Sequence, residues 1–181
     1  IAQFGFGNNA VNGQTDGLGN EAGIVQAGVG NGGINIQSGG YEDKAVIAQT
    51  GWNNHAVNAE NDTAGMFSGP STDQIVAQFG GDNFGINAES GCSGDHAGIL
   101  QFGIGNNGAN LQLGGTGNQA GIVQAGFGNS GANVQLGGTD ATALIAQTGS
   151  GNVGANVQVG VDPTTAAIVQ VGHGNVGVNS Q

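Results

Sequence analysis

Thirty side-chain amides fall into four series along this sequence of 181 residues. The first series is Gln3, Gln26, Gln49, Gln78, Gln101, Gln124, Gln147 and Gln170. Five residues after each stands Asn8, Asn31, Asn54, Asn83, Asn106, Asn129, Asn152 or Asn175. Nine residues after stands Asn12, Asn35, Asn58, Asn87, Asn110, Asn133, Asn156 or Asn179. Eleven residues after stands Gln14, Gln37, Gln112, Gln135, Gln158 or Gln181, with Glu60 and Glu89 taking the place in two copies. An amide is both donor and acceptor. Identical amides held one strand spacing apart bond to one another in a continuous ladder. A buried amide without a partner costs a few kcal/mol, so this pattern asks for a structure that stacks like on like.

Glu60 and Glu89 are the two exceptions, and they occupy neighbouring copies. If both point inward, two carboxylates lie about 5 Å apart and repel by roughly 3 kcal/mol at an effective dielectric near 20. One then holds its proton to a higher pH than usual. The expectation is acid-favoured assembly with this pair as a pH brake. If the long segment between them splays the ends apart, both reach solvent and no brake exists.

Other reactive residues do not converge. His55, His96 and His173 sit at three different repeat positions, which argues against a metal site, because ligands must meet in space. Cys92 is alone in Gly91-Cys92-Ser93-Gly94 and reads as a free thiol on a connector. The Gly-Gly-Thr segments at 114–116 and 137–139 resemble calcium-binding nonapeptide turns but lack their nine-residue period. Nucleophile elbows and phosphate loops are absent from the sequence. The reading is not an enzyme, with no cofactor and no metal. One Lys, no Arg and a net charge of -11 cannot neutralise a row of phosphates, so nucleic acid is excluded as a partner. No apolar run reaches the roughly 20 residues of a spanning helix, so membrane insertion by a helix is not expected.

The elements that must position the amides follow from the spacing. The first series advances by 23, 23, 29, 23, 23, 23 and 23 residues. Ile or Val always stands two before its Gln, Gly two after and Ala or Gly seven after. The motif is [IV]-x-Q-x-G-x-[GND]-N-x-[AG]-x-N-x-[QE]. Each copy alternates over two short stretches, such as Ala22–Gln26 and Asn31–Gln37, around a Gly-Asn corner. Alternation with β-branched residues predicts strands, and Gly and Asn suit the corner. The 40 Gly residues would weigh heavily against helix. The predicted fold is all-β, a single two-sheet, parallel, in-register β-solenoid of eight rungs of about 23 residues. Its repeats are 1–14 (partial), 20–37, 43–60, 72–89, 95–112, 118–135, 141–158 and 164–181. Connectors are five residues long, except a longer inserted loop at 61–71 that is expected to leave the stack at an edge.

These residues resemble the curlin repeat, the unit of curli, the extracellular amyloid fibres of bacterial biofilms. Gln3-x-Gly5-x-x-Asn8-x-Ala10-x-x-x-Gln14 matches it outright. Gln26-x-Gly28-x-x-Asn31-x-Gly33-x-x-x-Gln37 matches with Gly for Ala. Two features depart from the family: Asn20, Asp43, Thr72, Asp95, Asn118, Ala141 and Thr164 stand where it usually has Ser, and the Asn nine after the first Gln replaces an apolar residue. The family's N-terminal secretion segment is also not part of this sequence, which opens at Ile1. The resemblance places Ala22, Ile24, Gln26, Asn31, Gly33, Asn35 and Gln37 inside each rung. It puts Val25, Ile34 and Ile36 outside, with Leu100, Leu111, Val123, Val134, Leu144, Val157 and Val169 in other rungs. The opposite arrangement, with the aliphatic set buried, is the competing reading.

What the resemblance implies is a secreted, cell-surface structural subunit whose function is the polymer itself, as biofilm matrix and adhesive filament. Its partners would be copies of itself, head to tail and laterally through apolar outer faces, together with a nucleator and an export machinery. Both ends of the sequence carry the interior motif, which suits a contact that does not close on itself. The alternatives are a nucleator or minor subunit of such a fibre, or a soluble ice-binding or ligand-binding solenoid.

Overall fold

A computed structural model describes residues 1–61, 71–160 and 162–181. It contains two parallel sheets of eight strands each. The first sheet holds the leading strand of each copy: β1 (Ala2–Phe6), β3 (Glu21–Val29), β5 (Lys44–Trp52), β7 (Asp73–Gly81), β9 (His96–Ile104), β11 (Gln119–Phe127), β13 (Thr142–Ser150) and β15 (Thr165–His173), in that order. The second holds the trailing strands: β2 (Asn9–Thr15), β4 (Gly32–Ser38), β6 (His55–Asn61), β8 (Phe84–Ser90), β10 (Asn107–Leu113), β12 (Ser130–Leu136), β14 (Val153–Val159) and β16 (Val176–Ser180). Each turn of the chain adds one strand to each sheet, and the turns form a β-solenoid.

Register is maintained throughout. Gln26 pairs with Gln3 on one side and Gln49 on the other, and Asn35 likewise with Asn12 and Asn58. The inserted loop does not disturb this, because Lys44 still pairs with Asp73 and His55 with Phe84. Asn61 closes β6 and pairs with Ser90, as the first connector residue does in neighbouring rungs. Residues 62–70, where most of that loop falls, lie outside the described residues. Even the connectors stack, through parallel bridges Leu18–Tyr41, Ser93–Thr116 and Thr116–Thr139.

The corner two residues after each first-series Gln accepts only Gly. Gly28 has φ of 127°, and a Cβ there would lie 1.8 Å from the Gly51 carbonyl oxygen. Backbones of successive rungs approach too closely at this point for any side chain.

The space between the sheets is filled in the arrangement that the resemblance implied. Ile24, Ile47, Val76, Ile99, Ile122, Ile145 and Ile168 form one buried apolar column. The small residue seven after the Gln faces it: a Cβ on Gly33 would sit 3.1 Å from both Ile24 Cγ2 and Gln26 Nε2, and Ala56 occupies the equivalent place. The remainder of the interior is amide. Val25, Ile34, Ile36, Val123, Leu144 and Val169 are exposed on the outer faces, and Leu100, Leu111, Val134 and Val157 are half-buried there. The reading that buries the aliphatic set is therefore wrong. The amides need stacked partners, whereas the aliphatic side chains need only be covered.

Candidate functional site: the amide-lined interior

All four amide series point between the sheets. They are buried in the inner rungs, and Gln3, Gln14, Asn175 and Gln181 become exposed in the outermost ones. The first-series ladder is unbroken from Gln3 to Gln170. Each Nε2 donates to the Oε1 of the next rung, as from Gln26 to Gln49 at 2.7 Å and from Gln124 to Gln147 at 2.8 Å. From Gln26 onward the second N–H of each amide crosses to the other sheet, as from Gln49 to the Gly32 carbonyl at 3.0 Å.

The two Asn ladders run the opposite way. Asn54 Nδ2 donates back to Asn31 Oδ1 at 3.1 Å, and Asn58 Nδ2 to Asn35 Oδ1 at 3.1 Å. The corner Asn does more: Asn31 Oδ1 also accepts the backbone N–H of Asn54, and Asn31 Nδ2 reaches the Gly51 carbonyl at 3.1 Å. It thus supplies the partner for the one corner N–H that meets no backbone carbonyl, while the residues on either side pair backbone to backbone, as Gly30 N–H does with Phe6 and Gly32 N–H with Asn54. Asn35 Nδ2 ties the sheets together through the carbonyls of Gly23 and Ala45, both at 3.1 Å. Opposed Gln and Asn dipoles keep the two ends of the stack from accumulating charge of one sign.

One ladder escaped the sequence reading. Asn20, Asp43, Thr72, Asp95 and Asn118 appeared there only as departures from a family Ser. They line the second corner, and Asp43, Thr72, Asp95 and Asn118 are buried. Four of their side-chain oxygens accept the backbone N–H of the next rung: Asn20 from Asp43, Asp43 from Thr72, Asp95 from Asn118 and Asn118 from Ala141, between 2.8 and 3.1 Å, while Thr72 Oγ1 lies instead against Asp43 and Glu60. The available signal was that five of these residues can accept through a short side chain, as a cap requires. Gln74 was also missed. It replaces the usual Ala, is buried and donates to the Ala59 carbonyl at 3.1 Å.

The fourth series is broken at Glu60 and Glu89. Both are buried, at 4% and 3% exposure, so the long insertion does not release them to solvent. Thr72 Oγ1 bonds Glu60 Oε1 and lies 3.0 Å from Asp43 Oδ1. Burial, above all, pushes the Glu60 carboxyl up to about 8, with Asp43 adding to the shift and the Thr72 bond opposing it. Burial, then the Glu60 and Asp95 charges, push Glu89 up to about 9. Cys92 packs beside this corner as a buried free thiol, with its Sγ 3.4 Å from the Gln112 carbonyl oxygen. Burial, then Asp95, raise that thiol to about 12. The connector reading of Cys92 stands, but the side chain turns inward.

His55, His96 and His173 face outward at their three separate positions. His96 Nδ1 lies 3.7 Å from Asp73 Oδ2. None of the described aromatic side chains is buried. Phe4, Phe6, Trp52, Phe79, Phe102 and Phe127 all stand on the outer face of the first sheet, with Phe79 and Phe102 stacked at 5.1 Å. No family model, curated protein or solved structure matches the chain.

Proposed function

We propose that this chain is a structural subunit of an extracellular, curli-like functional amyloid fibre, in which copies add rung upon rung to form biofilm matrix or adhesive filaments. The observation that carries the reading is the identity of the joint between rungs. From Gln3 to Gln170 each rung meets the next in the same register and through the same first-series Gln ladder and corner Asn ladder. A rung of a second copy is therefore chemically equivalent to the next rung of the first.

The opposed ladders also give such a contact a direction. Where a rung of one copy is laid on a rung of another in the same sense, a first-series Gln Nε2 faces a Gln Oε1 and a corner Asn Nδ2 faces an Asn Oδ1, as between rungs of one chain. Head-to-head contact sets Oε1 against Oε1. A head-to-tail contact does not close and yields a filament. Lateral pairing of filaments is supported by the outer face of the first sheet, where the aromatic side chains gather and the columns of Val25, Ala27 and Val29 carry no charge apart from His173. An exposed, contiguous apolar face of this kind favours a contact with another surface.

The test is growth of desalted protein followed by thioflavin T fluorescence, with and without sonicated seeds, and then fibre diffraction. A lag abolished by seeds and a meridional reflection near 4.8 Å are expected. Soluble β-rich monomer that never grows on its own seeds at any pH would end the fibre reading. Poor growth alone with acceleration of another subunit would identify a nucleator.

A further inference from the structure

The fourth amide series runs in one direction. Gln14 donates to Gln37 at 2.8 Å, and Gln112 to Gln135 and Gln135 to Gln158 at 2.9 Å each. Each link therefore accepts from the rung before and donates to the rung after. Glu60 and Glu89 stand in register between Gln37 and Gln112. A carboxylate can perform only the accepting half of this task. With both ionised, Glu60 meets Glu89 acceptor to acceptor, and Glu89 meets the Gln112 carbonyl in the same way.

The consequences are visible as orphaned atoms. Among the described residues, Glu60 Oε2, both Glu89 oxygens and Gln112 Oε1 are buried without a partner. Thr72 Oγ1 adds an independent constraint. It lies against both Glu60 Oε1 and Asp43 Oδ1, and its single proton can serve only one of them. The described titratable groups facing the pair are Asp43, Asp95 and the Cys92 thiol, from the adjoining corner and connector. No cation acts on Glu60 or Glu89: Lys44 points outward, and His96, on the outer side of the corner, acts on Asp95.

We propose that Glu60 and Glu89 each carry a proton in the folded chain, acting as neutral stand-ins for Gln, so that closing the stack takes up two protons and is favoured by acid. A neutral Glu89 donates to Gln112 Oε1. A neutral Glu60 donates to Thr72 Oγ1, which then donates to Asp43 Oδ1, and its other oxygen is left to face Gln37. The pair is thus more than a repulsive brake in which one member keeps a proton: the direction of the ladder asks for a proton on Glu89, and the shared Thr72 contact asks for one on Glu60.

The direction of the pH effect follows. Below the ordinary carboxyl value of 4.5, folded and unfolded chains are both protonated, and the pair contributes nothing to the pH dependence. Above it the unfolded chain ionises while the folded chain holds its protons. Stability falls with rising pH until the folded groups ionise near 8 and 9.

The proposal deepens the fibre reading by naming its regulation, but it rests on the rung geometry alone and is tested on unpolymerised chain. Urea unfolding of the wild type, E60Q, E89Q and E60Q/E89Q is followed between about pH 5.5 and 7.5. Two protons over two pH units shift the wild-type folding constant by about ten-thousandfold. The double variant should lose that part of the pH slope, and each single variant about half of it. Asp95, also raised by burial, remains in all four. A wild-type slope within one proton of the double variant's would overturn the proposal. Infrared spectra give a second readout in monomer or fibre. At neutral pH the wild type should show the carbonyl band of a protonated carboxylic acid that E60Q/E89Q lacks, and its absence would overturn the proposal whether or not fibres grow.

Discussion

Gln49 donates its side-chain N–H to Gln78 at 2.8 Å, across 29 residues rather than the 23 that separate every other pair in that ladder. The bond is as short as its neighbours, so the six extra residues leave no trace in the stack. Removing six residues from within 62–70 restores the common connector length. The shortened chain should keep its β-sheet circular dichroism and a denaturation midpoint close to the wild type's. Loss of the cooperative transition would show that the insertion holds rungs three and four together.

The glycine corner should tolerate no side chain. In Gly126→Ala the new Cβ would lie 1.9 Å from the Gly149 carbonyl oxygen at a φ of 122°. Left-handed strain and backbone overlap together predict a loss of about 3 kcal/mol or more. Gly98 faces outward with nothing within 4 Å, and Gly98→Ala should be neutral within about 0.5 kcal/mol. Parallel chemical denaturation of the two variants checks both values.

Breaking a ladder in the middle should cost more than breaking it at its end. Gln124→Leu strands the Gln101 donor and the Gln147 acceptor in buried space, which predicts a loss of about 2–3 kcal/mol. Gln3 is exposed and bonds only Gln26, so Gln3→Leu should cost under about 1 kcal/mol. Equal losses in urea midpoints would show that the ladder adds no stability through its buried links.

Cys92 reports on the acidic corner. The attacking species is the thiolate, and burial holds this thiol up to about 12 against an ordinary value of 9.0. Alkylation of the native chain at pH 8 should be roughly a hundredfold or more slower than in denaturant. Fast native labelling would mean that the corner opens readily.

The four amide series, the β class and the rung length were legible because a solenoid repeats in sequence what it repeats in space. Where a residue type recurs at constant spacing, stacking like on like is the economical explanation, and the ladders from Gln3, Asn8 and Asn12 follow. The ladder through Asn20, Asp43, Thr72, Asp95 and Asn118 was not legible as one, since a cap needs only an accepting oxygen and so its residue type varies. Gln74, a single departure in one rung, carried no periodic signal at all.

By itself, then, the sequence determined the period, the strand pairs and which residues must stack, because those depend on identity and spacing alone. The tertiary structure decided which face is buried, since alternation names two faces without ranking them. It also decided the direction of each ladder, which is set by how each amide is turned at its place on the sheet. Finally, it decided the surroundings of Glu60 and Glu89. Their burial in register between Gln37 and Gln112, with an acceptor ahead, is what the proposed proton uptake rests on, and spacing alone left open whether they reach solvent.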